Sequence, residues 1–181
     1  MLNVEIRRPR IEDSKELNGL FRTVITDTFI KEGIGDKLDD MEEEIRSKKA
    51  YLKSDFESNG EKRYFLIALA GGKIIGSIEN GPSSELIRKC TDSALKELNE
   101  VGTVFVHPEY QWKGVGSFLL NKMYLNLRNN GIDEFCLDSG YVRAQTIWTK
   151  KFGVPDYLLM DYWGEGFPHM IWRLKVDDLL K

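Results

Sequence analysis

The chain has 181 residues, 41% hydrophobic and 30% charged, a length and balance that fit a single globular domain over 1–181 with one shared core. Its 26 basic and 29 acidic residues leave a net charge of -3, so no global field draws it onto nucleic acid, and no run approaches the roughly 20 apolar residues of a membrane span. The 2 cysteines, Cys90 and Cys136, stand at no metal-ligand or disulfide-framework spacing, and the first residues lack the apolar stretch of a signal peptide, so the expectation is a cytoplasmic protein without a metal.

Val4 to Arg8 alternates apolar and charged side chains as a half-buried strand does, and Pro9 ends it. Asp13 with Glu16 forms a helix-start signature, Leu17, Leu20, Phe21 and Val24 follow at helical spacing, and Gly33 supplies a stop. A second helix is expected from about Leu38 to Ser54. The acidic run Asp36 to Glu44 reads either as its solvated face or as a patch that attracts a cationic acceptor. Tyr64 to Ala70 and Lys73 to Glu79 are strand-like runs joined by Gly71-Gly72, the signature of an antiparallel hairpin with a primed turn. Ser83 to Asn99 reads as helical turns that can cover a binding site.

Glu100 to Val106 is the next strand, stopped at Pro108. A helix runs from about Gly116 to Asn130, with Val115, Leu119, Met123 and Leu127 in one stripe and Gly131 at its end. Phe135 to Asp138 is a short strand and Arg143 to Phe152 a helix closed by Gly153 and Pro155. Two final strands, Tyr157 to Tyr162 and His169 to Val176, flank a glycine-containing loop. Helices and strands alternate too irregularly for a doubly wound parallel sheet, so the fold class is α/β in the α+β sense, with a mixed sheet and helices on its faces.

Chemistry is concentrated where the strand from Glu100 runs through Gln111-Trp112-Lys113-Gly114-Val115-Gly116-Ser117 into a helix. Unpaired amides at a helix start, with about half a positive charge from the macrodipole, receive a pyrophosphate well. Glycines at 114 and 116 let the backbone approach phosphate oxygens without an intervening Cβ. Two better-known phosphate loops do not fit: Lys113 precedes the glycines, unlike a Walker lysine, and Leu119 stands where a dinucleotide fingerprint needs its third glycine.

The stretch Val104-Phe105-Val106-His107-Pro108-Glu109-Tyr110-Gln111-Trp112-Lys113-Gly114-Val115-Gly116 matches Gln/Arg-x-x-Gly-x-Gly/Ala after an apolar strand ending in Val-x-Pro. It resembles motif A of the GNAT acetyltransferases; the order of elements agrees over the chain, with the specific residues between Glu100 and Gly153. The resemblance implies a mostly antiparallel sheet of about seven strands and acetyl-CoA as co-substrate. It further implies that the amides of Gln111, Trp112, Lys113, Gly114, Val115, Gly116 and Ser117 hold the CoA pyrophosphate. Phe105 and Val106 would bond the pantetheine arm as an added strand does, and Lys113 either adds a point charge or is simply solvated.

An amine acceptor with a pKa of about 10.4 must lose a proton before it attacks a thioester, so a base is needed. Glu100 stands where several GNAT enzymes carry a glutamate base, with Glu79 in reserve. The helix Ala144-Gln145-Thr146-Ile147-Trp148-Thr149-Lys150-Lys151-Phe152-Gly153 resembles the family's second signature, with Trp148 in place of the tyrosine that commonly protonates the departing thiolate. An indole is no ordinary acid, so Trp148 either packs on the pantetheine or is a core ring. Tyr141, at the place of the usual asparagine, is the alternative acid. The loop Tyr162 to Phe167, with Glu165 among its rings, suits a cationic amine, whereas His169 reads as structural. Neither cysteine has a nucleophile's setting, which favours direct transfer to a primary amine without an acyl-enzyme, and a small-molecule acceptor is expected. A silent acyl-CoA sensor and a protein or peptide acetyltransferase remain the alternatives, and a monomer and a homodimer are both compatible with the sequence.

Overall fold

A computed structural model describes residues 2–181. Strands β1 (Glu5–Arg7), β2 (Tyr64–Ala70), β3 (Lys73–Pro82), β4 (Asn99–Val106), β5 (Glu134–Ser139), β6 (Tyr157–Leu159) and β7 (His169–Lys175) form a seven-stranded sheet in the order β1-β2-β3-β4-β5-β7-β6. The registered pairs β1/β2, β2/β3, β5/β7 and β6/β7 are antiparallel and β4/β5 is parallel, so the sheet is mixed and mostly antiparallel, as expected. The helices are α1 (Ser14–Lys31), α2 (Leu38–Ser58), α3 (Glu85–Cys90), α4 (Val115–Asn129), α5 (Val142–Phe152) and α6 (Val176–Leu179). The chain divides into two compact units, one of residues up to Asn80 with Thr103–Leu125, the other of Gly81–Gly102 with Asn126–Lys181.

In the first unit the hairpin forms where the glycine pair demands it: Gly71 and Gly72 take φ of 57° and 79°, the two left-handed residues of a primed turn. Helix α1 buries Leu17, Leu20, Phe21, Val24, Ile25 and Phe29 along one stripe. It begins at Ser14, directly after Asp13, as the helix-start signature predicts. The Asp13 side chain makes no cap bond to α1. Its carboxylate instead accepts two bonds from Arg7 at 2.7 and 3.1 Å and one from the Arg10 amide at 2.7 Å, tying the end of β1 to the helix entry. Glu16 reaches across to accept the Ile74 amide at 2.7 Å. A strong partner elsewhere in the fold won both carboxylates.

The Arg7 guanidinium, by hydrogen bond first, holds Asp13 below the usual carboxylate range. A depressed native value means that Asp13 adds stability above its unfolded-state value and loses it as pH falls through the lowered one. Asp13→Asn is therefore expected to cost about 1–2 kcal/mol near neutrality, with the difference from wild type shrinking below about pH 4 in chemical denaturation.

Helix α2 runs past Ser54 to Ser58, where Asn59, at φ 50°, closes it in the left-handed conformation. The extra turn carries Asp55, a buried carboxylate that accepts the Phe65 amide of β2 at 2.7 Å and an Arg8 N–H at 2.6 Å. Burial pushes this carboxyl above its ordinary value, with the Phe65 amide and Arg8 opposing. The acidic run at the start of α2 is largely exposed, and Glu42 pairs with Arg22 of α1, as a solvated face requires.

In the second unit Ile87, Leu95, Cys136 and Ile171 form a buried cluster under Cys90, Leu98, Tyr157 and Leu159. The expected helical turns between 83 and 99 are α3, capped by the Ser84 hydroxyl accepting the Ile87 amide, followed by turns. The expected strand to Tyr162 stops at Leu159, because Asp161 at φ 52° begins a tight loop closed by a bond from Trp163 N to Phe167 O. The last strand ends at Lys175, and Val176 opens a short helix. Among the described residues no helix is long and apolar enough to cross a membrane, and no group of three or more His, Cys, Asp or Glu side chains is placed to hold a metal.

Candidate functional site

In the first unit β4 leads through a 3-10 turn at Pro108–Tyr110 and the turn 111–114 into α4. Trp112 and Gly114 both lie in the left-handed region, at φ 63° and 83°. Gln111 before them is extended, and Trp112, a bulky residue, holds a φ that side chains rarely adopt. The first helical bond here runs from Phe118 N to Gly114 O at 3.1 Å, so the amides of residues 115–117 precede the helical ladder. Beneath the loop Val115 is buried, while the Trp112 ring is 91% exposed. Lys113 extends its ammonium to 5.3 Å from the centroid of the Tyr110 ring. Gln111 has a role the motif alone did not reveal: its side-chain amide donates to the Val106 carbonyl at 3.1 Å, bracing the loop on the end of β4.

That end of β4 is held closely. His107 N donates to Ile75 O of β3 at 2.8 Å, and the Phe105 ring meets Phe21 of α1 edge-on with centroids 6.0 Å apart. Gly76 of β3 is obligatory here, because a Cβ would lie 2.9 Å from the Phe105 carbonyl oxygen. Two residues before Phe105, Thr103 sits at φ 50°, an outlier for a β-branched residue. Glu79, the reserve base, is buried and already engaged, accepting from Arg63 at 2.7 Å and from the Thr103 hydroxyl at 3.3 Å.

The second unit contains Glu100, Tyr141 and Trp148. Glu100 stands opposite Cys136 in the parallel β4/β5 ladder, and its Oε2 accepts the Ser84 amide at 2.7 Å, so the carboxylate anchors the N-terminus of α3. Tyr141 precedes α5 in extended conformation and exchanges bonds with Ser139, its amide donating to Oγ at 3.1 Å and its carbonyl accepting from it at 3.3 Å. Trp148 stacks on Phe152 one helical turn on, with centroids 5.6 Å apart and planes 17° from parallel.

Gln145, which gave no sequence signal beyond its place in the helix motif, is buried and donates to Ser139 O at 2.9 Å and Pro168 O at 2.8 Å, pinning α5 to the end of β5 and the entry to β7. His169 is buried between two partners: its Nδ1 accepts from the Trp163 indole at 3.1 Å, which leaves Nε2 to donate to Asp138 at 2.8 Å. With both ring nitrogens engaged, the ring fastens Trp163 against Gly140, where a Cβ would come within 2.7 Å of the indole nitrogen. The hydrogen bond with Cys90, with some burial, lifts the Tyr162 phenol above its ordinary value. Burial first, then the charges of Glu100 and Asp138, pushes the Cys136 thiol up to about 12, which keeps it from acting as an acyl-accepting thiolate.

A family model described as "Acetyltransferase (GNAT) domain" matches residues 61–153, a segment holding β2 to α5 and the whole glycine loop. A search of curated proteins found no match. Among solved structures, the chain is similar to PaiA N-acetyltransferase from Thermoplasma acidophilum in complex with coenzyme A, at 22% identity and a TM-score of 0.69, covering 96% of this chain and 99% of that one. It is also similar to aminoglycoside 6'-acetyltransferase type Ii, at 14% identity and TM-score 0.64 over 95% and 97% of the two chains. A third similar structure is the ribosomal-protein-S18-alanine N-acetyltransferase from Escherichia coli, at 14% identity and TM-score 0.62 over 96% and 94%.

Proposed function

This chain belongs to the GNAT acetyltransferase family, and we propose that, as one domain over 1–181, it moves an acetyl group from acetyl-CoA directly to a primary amine of a small-molecule acceptor. The observation that carries this reading is the 111–117 turn, whose left-handed Trp112 and Gly114 precede amides outside the ladder of α4. The residues fit a diphosphate. At Gly116 a Cβ would make only an ordinary 3.7 Å contact with Val106, so no protein neighbour requires a glycine there, whereas an oxygen-rich ligand lying on the backbone would. Acetyl-CoA, when bound, supplies an activated thioester.

The amides of Gln111, Trp112, Lys113, Gly114, Val115, Gly116 and Ser117 hold the phosphates, and Phe105 and Val106 offer backbone groups to the pantetheine. Glu100, its direction fixed by the Ser84 amide, takes the proton of the acceptor ammonium, directly or through water. Tyr141 serves as proton donor and Trp148 as a packing surface. A thiolate near the ~8.5 of a free thiol departs without full protonation, so the missing tyrosine at 148 does not block the reaction.

The similar structures carry names for both a small-molecule and a protein acceptor, aminoglycoside and ribosomal-protein alanine. Titration calorimetry with CoA, paired with a thiol-release assay over polyamines, aminoglycosides and short peptides, tests the reading. Binding of CoA with release on a small amine is the expected result. Release on peptides alone would move the acceptor to proteins, and binding without release on any amine would make the chain a sensor.

A further inference from the structure

We infer that Ser77, Glu79 and Arg63 form a clamp that holds Thr103 of β4 at its positive φ and thereby positions the strand end that offers Phe105 and Val106 to the coenzyme. The inference rests on the reading that this strand end receives the pantetheine arm. Ser77 and Glu79 lie two residues apart on β3 and so point to the same face of the sheet. Between them they grip one residue twice: the Ser77 hydroxyl donates to the Thr103 carbonyl at 3.0 Å, and Glu79 accepts the Thr103 hydroxyl at 3.3 Å.

Both grips are buried, as is Thr103 itself. Glu79 is fixed in turn by Arg63 at 2.7 Å, and the Arg63 guanidinium lies 3.7 Å over the Tyr51 ring of α2. The clamp thus runs from a helix, through a charge pair, to a single threonine at φ 50°. A β-branched residue does not hold that conformation unaided, and such strain persists only where the surroundings over-determine it. A buried carboxylate engaged by a guanidinium and a hydroxyl is poorly placed to take a proton from substrate, which assigns Glu79 to positioning rather than to the base role.

Thr103→Val and Thr103→Gly separate the effects. Both delete the hydroxyl, but valine keeps the β-branch that resists positive φ, whereas glycine adopts it freely. Calorimetry with CoA is expected to show Thr103→Val binding about tenfold more weakly and Thr103→Gly within about threefold of wild type. ADP, which carries the pyrophosphate but no pantetheine, is expected to bind both variants as it binds wild type. If Thr103→Val fails to fold, Ser77→Ala replaces it, expected to weaken CoA by about threefold or more and to be rescued by adding Thr103→Gly. Equal CoA affinity in the valine and glycine variants, or parallel losses for CoA and ADP, would overturn the clamp while leaving the coenzyme site standing. Absence of CoA binding by the wild type would instead overturn the site reading beneath it.

Discussion

Glu100→Gln is expected to lower turnover by about 10²- to 10⁴-fold while leaving CoA affinity unchanged. The substitution is well suited to the question because the glutamine carbonyl still accepts the Ser84 amide, so the N-terminus of α3 keeps its anchor and only the basic oxygen is lost. The glutamate is outside the 111–117 loop, which is why binding and chemistry should separate. The pH dependence of kcat/KM supplies the second readout: the wild type should lose rate on the acid side as its base protonates, and that limb should vanish in the variant. Turnover within a few-fold of wild type, with the acid limb intact, would confine Glu100 to anchoring α3.

Asp55→Ala is expected to have the largest effect on stability, about 2–4 kcal/mol in chemical denaturation. Two losses combine. The Phe65 amide, buried within β2, is left without its 2.7 Å acceptor, and the Arg8 guanidinium loses its carboxylate. Arg8 remains 31% exposed, so water takes over part of its charge, and the cost should fall short of that for a wholly buried pair. Arg8 also donates to Asn59 O and lies 5.0 Å from the centroid of the Tyr64 ring, which limits how far it can follow the missing partner. A loss below about 0.5 kcal/mol would show that the end of α2 is held to β2 by packing alone.

Local signals in the sequence were read well where one residue type has one physical solution. Gly71-Gly72 sets a primed turn wherever it sits between two strand-like runs, and both glycines take positive φ. The stripe Leu17, Leu20, Phe21 and Val24 can be buried only by a helix, and it is. Polar side chains have several possible partners, and which one each takes follows from the fold. Asp13 and Glu16 mark the start of α1 as their spacing predicts, yet their carboxylates bond Arg7 and the Ile74 amide, and no local pattern encodes a donor 58 residues away. Ending α2 at Ser54 concealed Asp55, because the helix continues to a left-handed Asn59 that propensity does not single out.

By itself, then, the sequence determined the mixed sheet, the helix that follows β4, and the glycine loop between them, since these rest on backbone preferences and hydrophobic spacing that act over a few residues. Only the tertiary structure decided which carboxylates are engaged: Glu79 by Arg63 and Thr103, Glu100 by Ser84, Asp138 by His169. It alone decided the strained φ of Thr103 and the close approach of Phe105 to Gly76. A charge, a hydroxyl or a carbonyl is satisfied by whichever partner the fold delivers, and that partner is commonly distant in the chain.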